Sequence, residues 1–126
     1  NAITGEVLTN MYGDILKKYY GDEKGVCKIS DVHTYEWTYI PHFYYTFYVY
    51  QYATSFSASI ALTENVLNNQ EGAVDDFLAF LSSGGSDDPI NILGKAGVDM
   101  TSTEHLQKTF KVMNDVMDQV EKLISK

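Results

Sequence analysis

The chain has 126 residues, 44% hydrophobic and 21% charged, the make-up of one globular domain with its own core rather than of a disordered segment. A formal net charge of −8 excludes a nucleic-acid surface, which needs clustered Lys and Arg, and disfavours an anionic membrane surface. The single cysteine, Cys27, excludes an internal disulfide and fits a reducing, cytoplasmic compartment.

No basic segment followed by an apolar run opens the chain, so no secretory signal is read, and a first residue of Asn1 rather than Met is what a fragment would have. From Ile3 to about Tyr19 the apolar positions Ile3, Val7, Met11, Ile15 and Tyr19 recur every four residues. This predicts an amphipathic helix stopped by Gly21. Asp22 to Ser30 reads as a connection, and a loop continues to about Ile40. Between Tyr35 and Tyr52, ten of eighteen residues are aromatic. Pro41 biases Ile40 towards an extended backbone and can itself open a helix, so a long helix is predicted from there to about Leu67.

No charge occurs between Glu36 and Glu64, so that helix is either buried or a membrane span. Its phenols, Gln51, Thr46, Thr54 and serines would need partners in hydrocarbon, and the small residues Ala53, Ser55, Ser57, Ala58, Ser59 and Ala61 suit close packing. Burial is favoured over a span.

A helix near Glu71 to Ser82 follows, with Val74, Phe77, Leu78 and Leu81 on one stripe, ended by Ser82-Ser83-Gly84-Gly85-Ser86. Asp88 and Pro89 open a short helix that reaches Ala96 and is closed by Gly97. The last helix starts at a capping box, Thr101 with Glu104. It lays Leu106, Phe110, Met113, Met117, Val120 and Ile124 on a core. The expected fold class is all-α, a single helical domain over residues 1–126 with about five helices.

Chemistry-bearing motifs are few. There is no H-E-x-x-H, no cysteine pair and no phosphate-cradling glycine loop. His33, His42 and His105 are too far apart in sequence to make a zinc site within the chain, and no metal ligand is assigned. Cys27 reads as a simple free thiol, His105 as a surface residue and His33 as structural. His42 is different. At about 100° per residue along a continuous helix, Tyr45, Val49, Tyr52 and Phe56 share its face, Tyr48 borders it and Tyr50 points away. An imidazole and up to three phenols along one edge can donate hydrogen bonds to a developing oxyanion. An aromatic stripe at helical spacing is more often core, and the residues alone favour that reading slightly. Yet buried hydroxyls need acceptors, and packing does not explain the excess of Tyr over Phe.

The string Trp37-Thr38-Tyr39-Ile40-Pro41-His42-Phe43-Tyr44-Tyr45-Thr46-Phe47-Tyr48-Val49-Tyr50-Gln51-Tyr52-Ala53-Thr54 resembles the C-terminal signature of oligoendopeptidase F, in the thimet-oligopeptidase-like family of zinc metallopeptidases. The likeness continues through Phe77-Leu78, the Ser82–Ser86 loop, Leu93 and Ala96-Gly97-Val98-Asp99-Met100. The resemblance implies a mostly helical zinc endopeptidase that cuts short peptides internally. In that family an H-E-x-x-H helix and a further Glu hold zinc, and the motif's Glu activates the attacking water. His42 matches the histidine that faces the zinc, and Tyr45, Tyr48 and Tyr52 are the candidate phenols. Distant members carry glycines after that histidine, where this chain has aromatics, so Tyr50 also remains a candidate. The zinc motif is missing. The expectation is therefore a C-terminal fragment whose upstream catalytic part carries the zinc, and which alone binds none and is inactive.

The rival expectation is a non-catalytic helical interaction module with an aromatic binding surface. Such a surface rarely stays solvated, which leaves self-association of the chain open under either reading.

Overall fold

A computed structural model describes residues 2–125, and among them the chain is all-α, with five α-helices, three short 3-10 helices and no strand. They form two compact units, Asn1–Val49 and Tyr50–Lys126. No helix among the described residues is long and apolar enough to cross a membrane.

In the first unit, α1 (Gly5–Tyr20) starts at Thr4, whose hydroxyl accepts the Val7 N–H at 3.3 Å. It stops, as predicted, at a left-handed Gly21 with φ 70°. Its packed face differs from the predicted one. Ile3, Val7, Met11, Ile15 and Tyr19 stay exposed, whereas Leu8, Thr9, Tyr12, Gly13 and Leu16 are half-buried or buried. The working face is thus the next row round the helix, and it meets a 3-10 helix, Asp31–Thr38.

The sequence reads that segment as loop. It is helical because Thr34 and Thr38 donate their hydroxyls to carbonyls three residues back, on Asp31 at 2.6 Å and Tyr35 at 2.8 Å. His33 caps its start, Nδ1 accepting the Ser30 N–H at 3.1 Å. Another 3-10 helix, Asp22–Lys24, lies in the stretch read as a connection. Gly13 lets α1 and Asp31–Thr38 approach, since a Cβ there would sit 2.9 Å from Thr34 Cγ2.

The long helix predicted from Ile40 to Leu67 is broken. Pro41–Tyr44 is a third 3-10 helix, residues 46–49 form a turn, and α2 begins only at Tyr50. Tyr45 is extended and Phe47 has a left-handed φ of 54°. Crowded aromatic and β-branched side chains lose rotamer freedom against a preceding helical turn. The Phe47 conformation, which costs an L-residue roughly 1–2 kcal/mol, stops an α-helix from running through.

The second unit contains α2 (Tyr50–Leu67), α3 (Ala73–Ser83), α4 (Pro89–Lys95) and α5 (Glu104–Ile124). The core joins Ala58, Ala61 and Leu62 of α2 to Ala96 and Val98, with Phe77, Phe80, Leu93 and Met100 packed against it. Small residues let the helices come close, as expected for α2, although only one face of α2 is covered: Tyr50, Tyr52 and Phe56 are exposed. On α3, Phe77 turns to the core while Val74, Leu78 and Leu81 do not. Asp88 caps α4 by accepting the Ile90 N–H at 2.9 Å, and Gly97 follows with φ 81°.

Two expectations for α5 fail. The capping box does not form: Thr101 donates its hydroxyl at 2.6 Å and its N–H at 2.8 Å to the Asp99 carboxylate. The helix starts two residues later, with Thr103 as its N-cap and Ser102 Oγ accepting the Glu104 N–H at 3.3 Å. The predicted seam is exposed from Phe110 to Ile124. It is the neighbouring face, with His105 buried and Thr109 and Val112 half-buried, that packs in this unit, where α5 lies on α2. His105, read as a surface residue, is therefore only 6% exposed. Lys108 on the same side donates to the buried Asn65 Oδ1 at 2.9 Å.

Gly13→Ala lowers the unfolding midpoint of the first unit. Overpacking against Thr34 costs about 1–3 kcal/mol, more than the roughly 1 kcal/mol Ala gains over Gly inside a helix. In a Thr34→Ser background the obstructing methyl is gone and the hydroxyl remains, so Gly13→Ala raises the midpoint instead. Fluorescence of Trp37, the chain's one tryptophan, reads both in urea.

Candidate functional site

The candidate site begins at Pro41, the first residue of its 3-10 helix, after an extended Ile40 with ψ 103°. The backbone then closes by bonds from residue i to i+3. Tyr45 N–H donates to the His42 carbonyl at 3.4 Å, and Tyr48 N–H to the Tyr45 carbonyl at 3.1 Å. A three-residue period brings side chains three apart towards the same side. That sets Tyr45 beside His42, and the turn that follows, with Tyr45 extended and Phe47 left-handed, brings Tyr48 to the same place. The His42 and Tyr48 rings stack with centroids 5.5 Å apart at 27°, and Tyr45 stands edge-on to both, at 6.3 Å from His42 and 5.9 Å from Tyr48. Tyr45 and Tyr48 are open to solvent, 57% and 40% exposed, and His42 is half-buried.

Tyr52 lies in the first turn of α2, in the second unit, and is exposed. The helical count that aligned it with His42 assumed one unbroken helix, and the helix is interrupted between the two residues. Tyr50 opens α2 and is also exposed. His33 serves as a cap, and Cys27 is an exposed free thiol.

Around the trio, side chains tie the aromatic segment to α1. Tyr12 donates to Glu36 Oε2 at 2.8 Å and meets Phe43 edge-on, centroids 5.8 Å apart. Trp37 Nε1 donates to Thr9 Oγ1 at 3.1 Å while its ring leans on Tyr44 at 6.4 Å, and Tyr44 donates to the Thr38 carbonyl at 3.3 Å. Tyr39 reaches the other Glu36 oxygen at 3.3 Å. Burial, then the Glu36 carboxylate, pushes the Tyr12 phenol up to about 12; burial and Glu36 also raise Tyr39. Sequence reading missed Tyr12 and Glu36. The signal was present in Tyr12 following Met11, one row from the stripe taken as the packed face.

Among the described residues no group of three His, Cys, Asp or Glu side chains could hold a metal ion. What His42, Tyr45 and Tyr48 offer is one imidazole and two phenols side by side, able to donate hydrogen bonds to an anionic oxygen.

Comparison with known proteins matches residues 1–112 to the model of peptidase family M3. Oligopeptidase PepF of Bacillus subtilis (strain 168) is 46% identical over 124 residues, covering 98% of this chain and 18% of that protein. Group B oligopeptidase PepB of Streptococcus agalactiae serotype III is 42% identical, over 99% of this chain and 20% of its own length. The crystal structure of oligoendopeptidase-F from Enterococcus faecium superimposes with a TM-score of 0.89 at 38% identity, over 99% of this chain and 23% of the other. A putative peptidase from Chlamydophila abortus does so at 0.80 and 40% identity, over 95% of this chain and 20% of the other. The chain spans about a fifth of the length of the curated relatives it matches.

Alkaline titration reads the Tyr12 phenol directly. A phenol whose folded value lies above the ordinary 10 stabilises the fold fully below pH 10, and that contribution is lost as pH rises through about 12. Phenolate absorbance should show a last component near pH 12 that Tyr12→Phe removes. The stability difference between wild type and Tyr12→Phe should shrink across pH 10–12.

Proposed function

This chain belongs to peptidase family M3, and on that premise we propose that it is part of a zinc metalloendopeptidase, an oligoendopeptidase hydrolysing internal bonds of short peptides. In this reading the chain contributes a substrate-facing wall of His42, Tyr45, Tyr48 and Tyr52. The observation that carries it is the clustering of His42, Tyr45 and Tyr48 on an exposed turn, in a chain whose relatives are named oligopeptidases and oligoendopeptidases.

The chemistry assigned to the wall follows from what peptide hydrolysis demands. Attack on the scissile carbonyl turns a neutral oxygen into an oxyanion, and donors aimed at that oxygen bind the tetrahedral state more tightly than the substrate. The imidazole N–H of His42 and the phenols of Tyr45 and Tyr48 are such donors. Their mutual stacking holds them in place before charge develops. Tyr52 is assigned the same role from the family resemblance. The zinc would be held by residues outside this chain, in the upstream catalytic part, and no step is assigned to it. A cytoplasmic location is supported by the lone exposed thiol of Cys27. Expressed alone, the chain exposes the rows Val7-Met11-Ile15 and Phe110-Met113-Met117-Val120, and these would draw copies together.

In the full-length enzyme, Phe at Tyr48 or Tyr52 is expected to lower kcat by on the order of a hundredfold, as for loss of one oxyanion donor, while KM moves little. Unchanged turnover after Phe substitution at each of Tyr45, Tyr48, Tyr50 and Tyr52 would return the stripe to packing. The purified 126-residue chain binds no catalytic zinc and hydrolyses nothing; chelator-sensitive cleavage by it would overturn that assignment.

A further inference from the structure

We propose that Tyr12, on α1, is a positioning residue that aims the His42 imidazole by gripping the segments on either side of it. The proposal rests on the reading of His42 as an oxyanion donor. Tyr12 touches the chain both before and after His42. Its hydroxyl bonds Glu36 at 2.8 Å, in the 3-10 helix that precedes Pro41, and its ring meets Phe43 edge-on at 5.8 Å and 79°. Phe43 follows His42 directly, so holding its ring holds the backbone from which the imidazole stacks on Tyr48. Trp37, tied to Thr9 of α1, supports Tyr44 in the same way. α1 thus secures both residues that follow His42.

The turn needs that support. Its 3-10 helix has four residues, and the bond closing it at His42 is 3.4 Å long. The poorer hydrogen-bond geometry of 3-10 helices gives a piece this short little stiffness of its own. Tyr45 and Tyr48 also lie open to solvent, so no core packs around those two rings. A donor displaced by about 1 Å from its target can cost on the order of a hundredfold in rate.

The test uses the full-length enzyme. Tyr12→Phe loses the bond to Glu36 and keeps the ring contact, whereas Tyr12→Leu loses both. Tyr12→Leu is expected to lower kcat by on the order of ten- to a hundredfold with KM within about twofold, and Tyr12→Phe to keep most of the rate. In a His42→Ala background, Tyr12→Leu should slow the enzyme no further. A second readout does not depend on turnover: the NMR signal of the His42 ring, identified by its loss in His42→Ala, shifts away from its ring-stacked position in Tyr12→Leu and not in Tyr12→Phe. If Tyr12→Leu does not fold, Phe43→Leu removes the same contact from the other side and is read the same way. A Tyr12 that only stabilises the fold lowers the melting temperature but leaves kcat per folded molecule and the His42 signal unchanged, or multiplies the His42→Ala loss; each result overturns the proposal. If His42→Ala keeps full activity while the ring signal still responds to Tyr12→Leu, the oxyanion reading fails and the positioning stands.

Discussion

Between Asp31 and Tyr48 the backbone is repeatedly tied by bonds from residue i to i+3, and the shape of the candidate site depends on that short period. An α-helix through the same residues would rotate Tyr48 away from His42 by about 60° for every three positions. The 3-10 helix Pro41–Tyr44 and the bend at Tyr45 and Phe47 instead stack the two rings, with Tyr45 edge-on to both. A 3-10 backbone is a poor self-supporting structure, so it has to be held from outside. Here the holding is done by threonine hydroxyls bonded to carbonyls three residues back, and by contact with α1 where Gly13 leaves room for Thr34.

The abundance of tyrosine over phenylalanine follows from the same constraint. A ring that must both pack and terminate in a hydrogen bond can lock a short helix, which a Phe ring cannot. Tyr12 and Tyr39 share the Glu36 carboxylate, and Tyr44 finds the Thr38 carbonyl. These phenols are structural. Tyr45 and Tyr48 stack with His42 at the surface, where a phenol is hydrated at no desolvation cost and remains available to a ligand. One residue type therefore makes two kinds of contact within the run, hydroxyl bonds that tie the 3-10 helix and ring contacts around His42.

Much of the helical framework was legible from local chemistry. Gly21, Asp88-Pro89 and Gly97 act at the helix boundaries where their backbone preferences place them. What local chemistry could not give was the choice between competing partners. Thr101 had the right spacing for a capping box, but its hydroxyl and N–H both donate to the Asp99 carboxylate, and the Glu104 N–H is accepted by Ser102 Oγ instead. Likewise, an apolar row says that a helix face avoids water without saying what covers it. On α1 and α5 the rows identified by period are exposed, and the adjacent faces pack. His42, Tyr45 and Tyr48 could be singled out from residue type and the family signature. Their arrangement could not, because it depends on the break in the helix at Tyr45 and Phe47.

The left-handed Phe47 shows why that break is not a local preference. No β-turn or cap favours a phenylalanine at φ 54°, and its side chain is 84% exposed, so burial of the ring does not compensate the strain. The compensation has to come from the neighbours that the bend brings into contact. On one side Tyr45 and Tyr48 close on His42, and on the other Phe43 and Tyr44 reach Tyr12 and Trp37. All of these contacts lie within Asn1–Val49. An unbroken α-helix would relieve Phe47 and give up the stacked trio. The strained residue and the ring cluster are therefore two sides of one balance, struck inside the first unit.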